Sequence, residues 1–165
     1  MYKEKGLIEE AIFKLSVNLY SDFDCVKSHS DDDKFKHIDF YLSNGHSVDV
    51  KSSNRFYKGE YSLWFELTNI YGNRGWLYGK ATYIAFSLGD KYIFFRRRDL
   101  VRFIFNRNIN TKNWTFKVGF QNVKPYVVYR RQSFKDRIIM IPLKDLLKLN
   151  HFFVKRDISL LNKIT

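Results

Sequence analysis

An α/β fold of the α+β kind is predicted by three features: an amphipathic stretch near the N-terminus, two alternating segments joined by Ser43-Asn44-Gly45, and an unusual wealth of rings. Aromatic residues make up 18% of the 165, and bulky rings favour a pleated, half-buried surface. Hydrophobic residues reach 45% and charged ones 28%, an ordinary globular balance. The length fits one domain with a sizeable core.

The first element is a helix from Gly6 to Leu19. Leu7, Ile8, Ala11, Ile12, Leu15 and Leu19 recur at three- and four-residue steps, which predicts one buried stripe. Glu9 and Glu10 flank it, Glu9 nearer the exposed face. Residues 21 to 34 are polar, with Asp31, Asp32 and Asp33 in a row, and read as a solvated loop.

Phe35 to Leu42 alternates strictly. Ile38, Phe40 and Leu42 face one way, His37, Asp39 and Tyr41 the other, which is strand periodicity. The pattern resumes with Val48 and Val50 opposite Ser47, Asp49 and Lys51. A two-residue Asn44-Gly45 turn would set Phe40 against Asp49. A three-residue Ser43-Asn44-Gly45 loop pairs Phe40 with Val48 and Ile38 with Val50, so the longer loop is expected, with Gly45 in the left-handed position.

A third strand is expected over Tyr61 to Leu67, followed by a loop punctuated by Gly72, Gly75 and Gly79. Strands over Ala81 to Leu88 and Lys91 to Phe95 follow, joined by Gly89-Asp90, then a helix over Asp99 to Asn106. Beyond Thr111 short strands are expected around Trp114 to Val118, Tyr126 to Arg130 and Arg137 to Ile141, with a helix from Pro142 to Leu149. The whole reads as a single domain over 1–165, with a core over about 5–106 and a β-rich C-terminal extension over about 107–165.

The register brings Asp39 opposite Asp49, with Lys51 on the same side of its strand. Two carboxylates with Cβ atoms ~4.5–5.5 Å apart repel unless a cation lies between them. Carboxylate oxygens suit a hard divalent ion that keeps waters and takes substrate phosphate oxygens, Mg²⁺ or Mn²⁺. Such an ion lowers the pKa of a bound water and neutralises charge on a phosphate. Lys51 would orient that water or stabilise the transition state. His37 lies at the site edge, and Glu66 of the third strand is a further acid to consider.

An acid on one strand followed by Asp49-Val50-Lys51 on the next resembles the PD-(D/E)XK nuclease superfamily, with His37-Ile38 standing before Asp39 in place of the nominal proline. The resemblance spans roughly Leu7 to Phe95. It implies a restriction-endonuclease-like αβββαβ core, a mixed central sheet flanked by helices, and a Mg²⁺-dependent deoxyribonuclease in which Mn²⁺ substitutes. It also implies catalytic roles for Asp39, Asp49, Lys51 and an acid of the first helix, Glu10 being preferred to Glu9, with Asp39, Asp49 and Val50 holding the metal. Gly75-Trp76-Leu77-Tyr78-Gly79-Lys80 and the following Ala81 to Phe86 are similar to phage- and plasmid-borne members, some related to Holliday-junction resolvases.

Charge points to the same partner. Twenty-nine Lys and Arg against seventeen Asp and Glu give a formal charge of +12 and a pI near 9.7, which suits a polyanion. Arg96, Arg97, Arg98 and Arg102 form one basic stretch, Arg130 and Arg131 with Lys124, Lys135 and Arg137 another, and Arg74 sits in the glycine-rich loop. These are the expected contacts to DNA phosphates. No apolar run approaches the ~20 residues of a membrane helix, and neither a polybasic tail nor an anchoring helix is evident, so no membrane partner is expected. The opening Met1-Tyr2-Lys3-Glu4-Lys5 is unlike a secretory leader, and the lone Cys25 excludes a disulfide within the chain. A cytoplasmic setting, in a bacterial host or from a phage or plasmid, is expected, and a homodimer would suit cutting of two strands or a branched junction. The competing readings are a noncatalytic nucleic-acid-binding module on the same fold and a protein that inhibits another DNA enzyme.

Overall fold

The structure is a computed structural model that describes residues 2–52, 54–57, 59–107, 109, 114–116 and 123–163. Its helices and strands form two mixed sheets with few helices. In chain order they are α1 (Tyr2–Tyr20), β1 (Cys25–Lys27), β2 (Phe40–Leu42), β3 (Ser47–Lys51), β4 (Asn54–Tyr57), β5 (Glu60–Thr68), β6 (Tyr83–Leu88), β7 (Lys91–Arg96), α2 (Arg97–Asn106), β8 (Thr115–Phe116), β9 (Val128–Arg130), β10 (Arg137–Pro142), α3 (Leu143–Leu146) and β11 (His151–Lys155). The chain forms two compact units, one of residues 1–52, 80–96 and 150–165, the other of 53–79 and 97–149.

The first unit holds a six-stranded sheet ordered β1-β2-β3-β6-β7-β11. Its pairs are antiparallel except β3 with β6, where Asp49 lies opposite Ile84. β11 comes from the stretch expected as an extension, yet it is a full partner of β7. Phe13 of α1 packs against Phe40 at 5.2 Å and edge-on to Tyr92 at 5.0 Å between ring centres. These rings, with Val17, Val48, Val50, Ala85 and Val154, form the core between helix and sheet.

The buried face of α1 differs from the expected stripe. Leu7, Ile8 and Leu19 are exposed, whereas Ile12, Phe13, Ser16, Val17 and Glu9 are buried. Residues 9, 12, 13, 16 and 17 satisfy helical spacing as well as the chosen set does, and partners decide between them. Ser16 Oγ accepts the Asp157 N–H at 3.1 Å, and Glu9 binds Tyr92 and Arg156.

Two further departures bear on the site. The polar loop contains β1, and residues Asp32–Lys36 wind into a wide helical turn. That turn, with His37 in the left-handed region at φ 54°, shortens the expected Phe35–Leu42 strand to Phe40–Leu42.

The second unit holds a five-stranded sheet ordered β4-β5-β10-β9-β8. The expected third strand, β5, is therefore not in the sheet of the hairpin; it lies between β4 and β10. The expected C-terminal helix is cut to α3, and the expected strand at Tyr126 begins at Val128. Of the strand expected over Trp114 to Val118, Thr115–Phe116 is observed, and 117–118 lie outside the described residues. Among the described residues no helix is long and apolar enough to cross a membrane.

Candidate active site

The β2–β3 hairpin carries the predicted acids, and its register is the one expected. Phe40 pairs with Val48 and Tyr41 with Ser47. The Leu42 N–H donates to the His46 carbonyl at 2.8 Å, closing the Ser43-Asn44-Gly45 loop with Gly45 at φ 83°.

Beyond Phe40 the ladder changes. The Asp39 N–H donates to the Val48 carbonyl at 2.9 Å, and Asp39 Oδ2 accepts the Val50 N–H at 2.7 Å. A side chain thus takes the place expected for an Ile38–Val50 backbone pairing. Asp39 is fixed against the segment Asp49-Val50-Lys51, and Val50 is held at its main chain while its side chain joins the core.

The hairpin has no exposed charged face. Asp39 is 5% exposed, Asp49 1% and Val48 0%, because β3 is an interior strand paired with β6 in parallel, a setting usually covered on both faces. Among the described residues no hydrogen-bond donor reaches Asp49 Oδ2. Lys51 Nζ approaches Oδ1 at 2.6 Å as an ion-pair partner. Burial raises the Asp49 pKa to about 8; the Lys51 charge opposes this and the Asp39 charge adds to it. A buried carboxylate with unfilled acceptors is costly unless a cation compensates it.

Glu10 of α1 forms an ion pair with Lys27 of β1 at 2.5 Å. Burial raises its pKa, and the field of Asp39 contributes to the rise. Lys27 also lies 3.6 Å from Asp33 and 5.0 Å from the centre of the Phe40 ring. Sequence reasoning missed Lys27, since a three-residue strand inside a polar segment leaves no periodic signal. His37, half-buried, has its pKa lowered by burial and then by the Lys51 charge, so it belongs to the same neighbourhood. Glu9 is engaged elsewhere: Arg156 grips it through two hydrogen bonds of 2.9 Å, and the Tyr92 hydroxyl donates to it at 2.6 Å. Its burial is the reverse of the expectation that it lies nearer the exposed face.

The predicted DNA-binding arginines have unlike surroundings. Arg96, at the end of β7, is exposed. In the second unit Arg74 is exposed in the turn after β5, Arg98 and Arg102 are exposed on α2, and Arg97 is half-buried, which lowers its pKa. Arg130 donates to the Phe134 carbonyl at 2.6 Å and lies over Trp114 at 4.7 Å. Arg131 is committed within the protein, 2.5 Å from the fully buried Asp136. Glu66, in the same unit, accepts the Trp76 N–H at 3.4 Å.

Two carboxylates suit Mg²⁺, which usually retains waters and takes further oxygens from substrate phosphates. The unfilled Oδ2 of Asp49 beside Asp39 fits that demand. Among the described residues no three His, Cys, Asp or Glu side chains gather into a metal-holding group, so the donor set is the pair. No protein-family model matches the chain, and neither a curated protein nor a solved structure matches it.

Proposed function

We propose that this protein is a Mg²⁺-dependent nuclease that hydrolyses phosphodiester bonds in DNA, on a PD-(D/E)XK-like core. The observation that carries the reading is Asp49, buried beside Asp39, with Oδ1 ion-paired to Lys51 and Oδ2 lacking a hydrogen-bond donor among the described residues. A divalent ion bound there would supply an activated water and a counter-charge for the scissile phosphate.

The chain's own groups have separable roles in this reading. Asp39 and Asp49, with the main chain of Val50, hold the cation. Asp39 also braces the strand through the Val50 N–H. Lys51 opposes the effect of burial on Asp49 and would face developing negative charge when substrate is present. Glu10 orients Lys27 and adds to the negative field that attracts a cation. Arg74, Arg96, Arg97, Arg98, Arg102 and Arg130 are surface cations for backbone phosphates, a sequence-independent contribution.

The test is cleavage of supercoiled plasmid and of a four-way-junction substrate by wild type and by Asp49→Asn, each with Mg²⁺, Mn²⁺ or EDTA. Cutting by wild type alone, and only with metal, is expected; preference between the substrates tells whether the enzyme selects branched DNA. Binding without cutting under every metal condition would reject the nuclease reading in favour of a noncatalytic binding module.

A further inference from the structure

A pocket of about 390 Å³ in the second unit is lined by Thr68, Gly72, Arg130, Lys135 and Arg137. Three of its five lining residues are cations, and no acidic side chain among the described residues lines it. A water occupies about 30 Å³ in the liquid, so the space admits a phosphate group with its nearest waters.

The local chain explains why positive charge collects here. β9 and β10 are joined by a turn in which Arg131 and the buried Asp136 hold each other, through both the guanidinium and the Arg131 N–H. Asp136 is buried, whereas Lys135 is exposed and Arg137 half-buried. The one carboxylate of the turn is thereby withdrawn from the pocket, and its neighbours are left at the rim. A register shift between Arg137 and Ile138 marks a bulge in the pairing of β10 with β5, a device that re-aims a side chain. Arg137 is the Cα partner of Thr68, which brings a hydroxyl to the same wall.

Gly72 completes the opposite side. It adopts φ +88°, and a Cβ there would lie 3.5 Å from Lys135 Cβ and Cδ. The stem of Lys135 therefore lies along the glycine turn. Lys135 is anchored by its own N–H to the Ile70 carbonyl at 3.0 Å, so the rim is built by main-chain bonds. Arg130 is held against Trp114 and the Phe134 carbonyl, which limits its rotamers before any ligand arrives.

We propose that this pocket is a phosphate-binding subsite that takes one backbone phosphate of a nucleic acid, through Arg130, Lys135 and Arg137. It rests on the proposed nucleic-acid substrate for the identity of the ligand, and it does not depend on catalysis at Asp49. A preset three-cation seat fixes the register of a strand without reading bases. It separates this basic stretch into contributors and a non-contributor: Arg131, although adjacent, is spent on Asp136.

The test uses the full chain in EDTA, so that cleavage plays no part. Fluorescence anisotropy of a labelled duplex is measured across a KCl series for wild type, Lys135→Ala and Arg137→Gln, with Lys144→Ala, whose partner is Glu60, as the control. Each pocket variant is expected to weaken binding several-fold and to lower the slope of log affinity against log salt by about 0.9; the control leaves the slope unchanged. Lys135 is exposed, so its variant keeps the fold, which the thermal melt verifies. Unchanged affinity and slope in both pocket variants overturns the proposal. Inorganic phosphate that raises the melting temperature of wild type, with no effect of the substitutions on duplex binding, also overturns it, since the pocket then serves a small anion. Wild type that fails to cleave plasmid in Mg²⁺ while the pocket variants lose affinity and slope rejects the nuclease reading and supports the subsite.

Discussion

Asp39 Oδ2 accepts the Val50 N–H at 2.7 Å, so the first acid of the site is also a structural clamp on the strand that bears the second. Removing the acceptor leaves a buried main-chain donor unpaired, which costs about 1–3 kcal/mol. Asp39→Ala is therefore expected to lower stability by that amount in urea denaturation, whereas Asp39→Asn keeps an acceptor and stays within about 1 kcal/mol of wild type. On the proposed nuclease reading both are expected to abolish metal-dependent cleavage. An Asp39→Asn variant that cuts DNA at the wild-type rate would remove Asp39 from the metal site.

Asp49 predicts a pH dependence of the metal-free protein. Its pKa is raised from 3.8 to about 8 by burial, so between these values the folded state holds a proton that the unfolded chain releases. Stability accordingly falls as pH rises from about 4 to about 8. In EDTA the urea midpoint is expected to drop between pH 5 and pH 8, and Asp49→Asn to flatten the fall and to exceed wild type at pH 8. Mg²⁺ is expected to restore the wild-type midpoint at pH 8, because a ligand that binds only the folded state stabilises it. A midpoint in EDTA that is level across the range would show that the carboxyl is not desolvated in solution.

The two acids of α1 are expected to separate cleanly. Arg156→Ala leaves Glu9 largely buried without its cation, an effect worth about 3 kcal/mol, and a loss of that order is expected in thermal or urea unfolding. Glu10→Gln instead leaves stability within about 1 kcal/mol, as for a partly exposed ion pair, and lowers cleavage. The reverse pattern would exchange their roles.

Cys25 offers a probe of opening. It is 2% exposed, and burial pushes its thiol up to about 12. Reaction with a thiol-specific disulfide reagent at pH 8 is expected to be slow and to accelerate in step with urea unfolding. Rapid reaction in the native protein would mean that β1 detaches readily from β2.

Elements with an unambiguous period were legible in the sequence. Phe40, Leu42, Val48 and Val50 admit one pairing that matches apolar to apolar, and Gly45 supplies the turn, so the hairpin register followed from residues alone. The face of α1 did not, because two sets of residues satisfy the same spacing and the burial of Glu9 and Ser16 depends on Arg156 and Asp157, nearly the whole chain away. β1 and its Lys27 were hidden for a related reason: three residues carry no period, and only pairing with β2 makes them a strand.

The sequence by itself determined the mixed α and β character, the β2–β3 hairpin and the juxtaposition of Asp39 with the Asp49-Val50-Lys51 segment, since these rest on alternation and turn chemistry within about fifteen residues. Tertiary structure alone decided that β5 pairs with β10 rather than with the hairpin, that β11 joins the first sheet, and that Asp49 is buried on an interior strand. Alternation reports that a strand is half-covered but not by which partner, and the burial that perturbs Asp49 comes from strands and helices distant in the chain.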